Sequence, residues 1–236
     1  VEDVGDEYNF SPARFSRKIT TKKCAAKITI LDKGPVSLSL KIEILLKLPK
    51  EISINRTNRS DKFINCLLQS YVTLYSKVRR IDFRTIFNNC VKDHRLRVIF
   101  PTDIMTDCTY AESSFDVVRR PIEPPSATDW KESPSLTQPQ QSYVSINDGE
   151  KGMTLINQGL PEYEAIRIEK GTSILLTLLR CVGWLSRDDL KTRKGRAGPR
   201  LYPDLRTPDA QCLGRHEFRY SLVIHEGGWK DNKVWR

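Results

Sequence analysis

Histidine is scarce in this chain: three residues in 236, with only two Met. His94, His216 and His225 stand in no HExxH or comparable metal-ligand spacing, so the sequence offers no zinc site of its own. The six cysteines, Cys24, Cys66, Cys90, Cys108, Cys181 and Cys212, include no CxxC pair, which excludes zinc-knuckle and thioredoxin-like chemistry. No GxSxG elbow, Walker loop or GxGxxG occurs, so the serine-hydrolase, nucleotide-phosphate and dinucleotide classes lose their signatures. Long apolar runs are missing too. The longest, Ser173–Leu185, holds 13 residues and contains Arg180, short of the roughly 20 that a membrane-spanning helix needs. With no signal peptide or lipidation motif, free buried thiols in a cytoplasmic protein are the expectation. The first residues are Val1-Glu2-Asp3 rather than Met, which suggests a processed product or a piece of something longer.

What is present suits one large domain or two small ones. Apolar residues make up 39% and charged residues 29%, which excludes wholesale disorder. A chain of this size buries roughly 70% of its unfolded surface and needs no disulfide to hold a core. Lys and Arg outnumber Asp and Glu 39 to 29, for a formal charge of +10. The excess clusters in Arg14, Arg17, Lys18, Lys22, Lys23 and Lys27, and again over residues 187–200. A polyanion binder has such runs. Here aromatic residues are sparse among them and no nucleic-acid-binding motif accompanies them, so a solvated surface is favoured. Two sequons, Asn55-Arg56-Thr57 and Asn58-Arg59-Ser60, matter only in a secretory compartment and are read as chance.

Period two dominates the pattern. From Val36 to Leu48 every even position is apolar, while Ser37, Ser39, Lys41 and Glu43 alternate with them. This spacing predicts a long strand with one buried face. Phe218–Ile224 and Arg95–Phe100 alternate in the same way, and Pro101 closes the latter. Further strands are expected at Ala25–Leu31, Leu67–Val78, Tyr143–Ile146, Met153–Asn157, Ala165–Glu169 and Ile174–Val182. No amphipathic helix interrupts them, so the fold class is all-β, an antiparallel β-sandwich. Residues 119–142 hold five of the 13 prolines; they read as a crossover between sheets or a boundary between two sub-sandwiches. Residues 186–208 form a second long loop rich in charge, Gly and Pro, of the kind that carries function.

Self-contained chemistry is hard to find. Asp188-Asp189, Glu162 with Glu164, and Glu2, Asp3, Asp6 and Glu7 are acidic groupings, but a glycosidase needs two carboxylates flanking one bond, and local ion pairs are the commoner use. Gly195-Arg196-Ala197-Gly198 is a weak candidate anion cradle. His94 precedes a strand and reads as a hydrogen-bonded turn residue. Trp130, Trp184, Trp229 and Trp235 offer sugar platforms for an alternative reading, a free-standing carbohydrate-binding sandwich, although core or interface positions are the more usual role.

Several segments in order carry a family pattern: Gly5-Asp6-Glu7-Tyr8-Asn9-Phe10-Ser11-Pro12; Lys92-Asp93-His94-Arg95-Leu96-Arg97-Val98-Ile99-Phe100-Pro101-Thr102; Tyr110-Ala111; Phe115-Asp116-Val117-Val118; Gly159-Leu160-Pro161-Glu162-Tyr163-Glu164; Leu178 to Leu190, running into Gly195-Arg196-Ala197-Gly198-Pro199; and Thr207-Pro208-Asp209-Ala210-Gln211-Cys212-Leu213-Gly214. The set resembles the C-terminal β-sandwich region of glycoside hydrolase family 38 α-mannosidases of the bacterial and archaeal branch, across essentially all of residues 1–236. The resemblance implies a supersandwich-like, galactose-mutarotase-like architecture. It implies a retaining enzyme whose Asp nucleophile and sugar-holding zinc lie in an N-terminal α/β barrel-like domain, followed by a helical bundle. Those domains are absent from this chain and would be its partners, together with a mannosyl-oligosaccharide substrate. On that resemblance the chain alone binds no metal, contains no catalytic residue and does not hydrolyse mannosides. No nucleic-acid or membrane partner is implied, and homo-oligomerisation is left open. Tyr8 becomes a candidate sugar contact, or else a residue holding the chain entry. Asp188 and Asp189 approach the mannose, with either Arg193 or Arg196 as the accompanying guanidinium.

Overall fold

The computed structural model describes residues 1–15, 18–198 and 205–232. Its strands are β1 (Ala26–Lys33), β2 (Ser37–Pro49), β3 (Phe63–Tyr75), β4 (Ile81–Asn89), β5 (His94–Pro101), β6 (Cys108–Ser113), β7 (Asp116–Pro121), β8 (Thr137–Pro139), β9 (Tyr143–Asn147), β10 (Lys151–Asn157), β11 (Glu162–Ile168), β12 (Gly171–Cys181) and β13 (Gly214–Glu226). They build a nine-stranded sheet, β1-β2-β3-β4-β13-β10-β9-β6-β7, and a four-stranded sheet, β5-β12-β11-β8. Every ladder is antiparallel. The fold is thus an antiparallel β-sandwich. Within the described residues no helix is long and apolar enough to cross a membrane.

Two apolar clusters join the sheets. One sets Leu46, Phe87 and Phe218 of the large sheet against Leu176 and Leu178 of the small one. The other sets Val144, Ile146 and Leu155 against Tyr163 and Ile174. Phe83 stacks on Tyr220 at 5.2 Å between ring centroids, and both meet the edge of Phe100 across the interface. Tyr163 is fully buried, with its hydroxyl 2.7 Å from that of Thr109 on β6. That hydrogen bond spans the two layers, so the second tyrosine of the sheet interface is satisfied as well as packed.

The strand pattern is realised with four additions. These are β4 and the short strands β6, β7 and β8, each of the last three six residues or fewer. β4 puts Thr85 on its inward row and Ile86 on its outward row, and the β6–β7 hairpin turns through Phe115 at φ 70° rather than through a glycine. The proline-rich stretch 119–142 includes the end of β7 and all of β8. It crosses from the large sheet to the small one.

Two expectations need correction. The even face of β2 is not uniformly buried. Leu46 is enclosed, but Leu38, Leu40, Ile42 and Ile44 are only partly covered, because four strands cannot roof nine. His94 is not a turn residue. Asp93 takes the turn at φ 54°, and His94 opens β5 with its ring buried and neither nitrogen hydrogen-bonded among the described residues. Burial lowers its pKa to about 3.

Candidate functional site

The opening segment, residues 1–13, is an extended loop stitched to the small sheet. Gly5 permits its first tight turn. A Cβ there would meet the Asn9 carbonyl oxygen at 2.0 Å, closer than any side-chain carbon can sit. Asp3 accepts from the amides of Gly5 at 2.8 Å and Ser11 at 3.2 Å, and from Arg180 Nε at 2.8 Å. Burial raises the Asp3 pKa even though Arg180 opposes the shift. The other two Arg180 nitrogens donate to the carbonyls of Asp6 and Glu7.

Asp6 is the joint between this segment and the loop after β12. Its Oδ1 accepts from the amides of Tyr8 at 3.0 Å and Asn9 at 2.9 Å, an Asx-type turn. Its Oδ2 accepts from the Arg187 amide at 2.7 Å and from the Arg193 guanidinium at 2.6 Å. Burial works against ionisation, but Arg193 and these amides outweigh it and hold the carboxyl below its ordinary value. The side chains of Asp6 and Arg193 are 0% and 2% exposed. Arg193 also donates to Asn9 Oδ1 and to the carbonyls of Gly195 and Arg187, which occupies its whole donor fork. A buried guanidinium with every donor engaged positions two loops. It has no free face to offer a ligand.

The other candidates lie at the rim of this joint. Tyr8 is 57% exposed, at the tip of the turn that Asp6 caps. Asp189 takes two hydrogen bonds of 2.7 Å from Arg187, and that pairing holds its carboxyl below the ordinary value. Asp188 pairs with Arg196 at 3.3 Å. Arg187 and Arg206 both lie over the Trp184 ring, at 4.6 and 4.4 Å. The Ala197 amide donates to Ser186 Oγ, which closes the loop. Tyr8, Asp188, Asp189 and Arg196 are therefore linked to one another through Asp6, Arg187 and Ser186, while Arg193 sits underneath. Asp6, Asn9, Arg180 and Arg187 are the members that motif reading passed over. The clue was Asp6-x-x-Asn9, an Asx-turn spacing beside a glycine.

Beside the joint, Arg95 lies 3.9 Å over the Phe10 ring and donates to Glu162 at 3.2 Å, and Arg97 pairs with Glu164. Glu162 and Glu164 thus form an ion-pair ladder on the small sheet. Among the described residues no three His, Cys, Asp or Glu side chains gather as metal ligands. His216 is hydrogen-bonded to the Cys212 carbonyl, and His225 to Thr154. Of the four tryptophans, Trp130 is well exposed, Trp184 is covered by guanidinium groups and Trp229 lies near Tyr110 and Tyr143. Trp235 lies outside the described residues, as do Arg17 and Arg200 of the two basic runs.

Residues 1–206 match the model of the glycosyl hydrolases family 38 C-terminal domain. An α-mannosidase from Enterococcus faecalis V583 is 32% identical, with a TM-score of 0.85 over 99% of this chain and 26% of its own. A second Enterococcus faecalis structure, described as a protein in glycosyl hydrolase family 38, is 31% identical with a TM-score of 0.83 and the same coverage. A Halalkalibacterium halodurans protein named "Putative mannosylglycerate hydrolase" is 29% identical over 96% of this chain. The chain spans about a quarter of that relative, 25% of its length.

Proposed function

Because this chain belongs to glycosyl hydrolase family 38, matching the C-terminal domain of that family, we propose that it is the non-catalytic β-domain of a retaining, zinc-dependent α-mannosidase acting on mannosyl-oligosaccharides. The observation that carries this reading is the Asp6–Arg193 joint. It rigidly couples the Gly5–Pro12 segment to the 184–197 loop, and four side chains suited to a sugar stand at its rim. Tyr8 offers an aromatic face and a hydroxyl, a common pairing against a pyranose. Asp188 and Asp189 accept from sugar hydroxyls. Arg196 donates to them, while Arg193 is a positioning residue. Zinc and the nucleophile belong to the part of the protein outside this chain, and no step of the reaction is assigned to residues 1–236. Six unpaired thiols, three of them buried, fit a reducing, cytoplasmic setting.

A free carbohydrate-binding module is less favoured, since Trp184 is covered by Arg187 and Arg206 and Trp229 packs near Tyr110 and Tyr143, which leaves Trp130 as the well-exposed member of the described tryptophans. The Halalkalibacterium relative brings in a different substrate class, a mannoside carrying a carboxylate, and the arginines of the rim suit such a group. The test uses the whole protein that contains this chain, assayed on α-mannobiose and on mannosylglycerate. Tyr8→Ala and Arg196→Ala are each expected to raise KM about tenfold, the effect of losing roughly 1.4 kcal/mol of binding, with an unchanged melting curve. Wild-type protein inactive on both substrates would overturn the enzyme reading. Active variants with an unaltered KM would remove the rim from the substrate site.

A further inference from the structure

The free edge of β5 is the most unfinished part of this molecule. β5 is an outer strand of the four-stranded sheet, and β12 is its ladder partner. Its first residues nevertheless have company on the other side. Arg95 donates its amide to the Val1 carbonyl at 2.7 Å, and the Val1 nitrogen donates to the Arg95 carbonyl at 3.0 Å. The Asp3 amide donates to the Asp93 carbonyl, and Glu2 bridges His94 in antiparallel sense. Residues 1–3 are thus a short fifth strand of the small sheet.

Hydrogen bonding alternates along an antiparallel edge. Since Arg95 turns its N–H and C=O toward Val1, Arg97 and Ile99 present theirs on the same side. No backbone group among the described residues pairs with them there. Beside this edge lies a cavity of about 400 Å³ between the sheets. Ile42, Ile44, Leu68 and Val72 form its floor, and Leu96 and Val98 line the β5 side. Further out, Ile28 and Ile30 of β1 are 61% and 59% exposed. An open strand edge next to an unfilled apolar groove accepts an extended segment with apolar residues at alternate positions.

We propose that the polypeptide leading into Val1 in the longer protein continues along β5 toward Pro101, completing a five-stranded sheet and closing the groove. The register follows from the bridge. With Glu2 opposite His94, the second residue before Val1 lies opposite Arg97 and the fourth opposite Ile99. The first and third lie opposite Leu96 and Val98, share their inward face and enter the cavity, so those two are apolar. Continuity with the existing Val1–Asp3 ladder selects this occupant over a second copy of the chain, and relatives about four times longer than the chain have the polypeptide to supply it.

The inference rests on the reading of this chain as one part of a longer protein, and the experiment separates the two. The protein is purified whole, and its denatured mass is measured. Hydrogen exchange is then read at single-amide resolution. A mass several times 27.2 kDa, with the Arg97 and Ile99 amides as protected as those of Val98 and Phe100 at every protein concentration, is the expected result. A long protein in which Arg97 and Ile99 exchange at least 100-fold faster than Val98 and Phe100 overturns the strand and leaves the longer-protein reading intact. Protection that appears only at high concentration puts a second copy on the edge and overturns it also. A mass near 27.2 kDa removes both. As a second readout, Val98→Cys paired with a cysteine at the third residue before Val1 is expected to oxidise to a disulfide, whereas a cysteine at the fourth is not.

Discussion

Removing Arg193 tests whether the joint between the opening segment and the 184–197 loop depends on a buried ion pair. Arg193→Met keeps the length of the side chain and deletes its charge. It leaves the Asp6 carboxylate, 0% exposed, without its cation. Breaking a buried pair from one side costs about 3–5 kcal/mol. Asp6 keeps the amides of Tyr8, Asn9 and Arg187, which places the expected loss near the lower end, about 3 kcal/mol. At roughly 2–4 °C per kcal/mol for a domain of this size, the melting transition falls by about 6–12 °C. Asp6→Asn strands the guanidinium instead and costs a similar amount. The double variant loses less than the sum of the two by at least about 1.5 kcal/mol, within the usual coupling of contacting residues. Urea denaturation followed by tryptophan fluorescence is a suitable assay, because Trp184 lies in the loop concerned. Two single variants within about 0.5 kcal/mol of wild type, strictly additive in the double, would show that the joint is held by something else. The pH dependence gives an independent check. Asp6 titrates below its ordinary value in the fold, so its stabilisation is complete above the unfolded pKa of about 3.9 and is lost as pH falls through the folded value. The gap between wild type and Asp6→Asn therefore closes below about pH 4. Asp3 has the opposite sign. Its pKa is raised by burial, so its contribution is present below the unfolded pKa and lost as pH rises through the folded one. The gap between wild type and Asp3→Asn is therefore expected to narrow as pH rises, the reverse of the Asp6→Asn trend.

Three more outcomes are expected. His94 is held neutral with a pKa of about 3, whereas the unfolded chain protonates it near 6.5. Stability is therefore full above about pH 6.5 and falls by up to about 1.4 kcal/mol per unit on acidification toward 3. His94→Leu flattens that slope in a pH series of denaturation midpoints, and an unchanged slope would contradict the assignment. Tyr163→Phe strands the Thr109 hydroxyl inside the sandwich and costs about 1–3 kcal/mol, measured by chemical denaturation; a neutral effect would mean that Thr109 finds another partner. Of the six thiols, Cys90 is exposed while Cys66, Cys108 and Cys181 are buried. Iodoacetamide is expected to label Cys90 first and the buried three only after unfolding, with mass spectrometry as the readout.

The all-β class, nine of the 13 strands and the family pattern were legible in the sequence, because period-two alternation is a local property of a strand with one wet face. Three of the strands that escaped notice, β6, β7 and β8, are six residues or shorter, too brief for the pattern to register. β4 mixes Thr85 and Ile86 across its faces, and β8 is only Thr137–Pro139. The motif residues Tyr8, Asp188, Asp189, Arg193 and Arg196 were visible as positions, but their division of labour was not. Arg193 is buried and fully engaged because Asp6 and Asn9, more than 180 residues away in the chain, come to meet it, whereas Arg196 pairs with Asp188 of its own loop and stays partly open. The half-open face of β2 was equally out of reach, since alternation reports that one side of a strand is apolar and says nothing of how much sheet lies opposite. Local spacing determined which residues point inward. The unequal width of the two sheets, four strands over nine, decided which of those residues are covered.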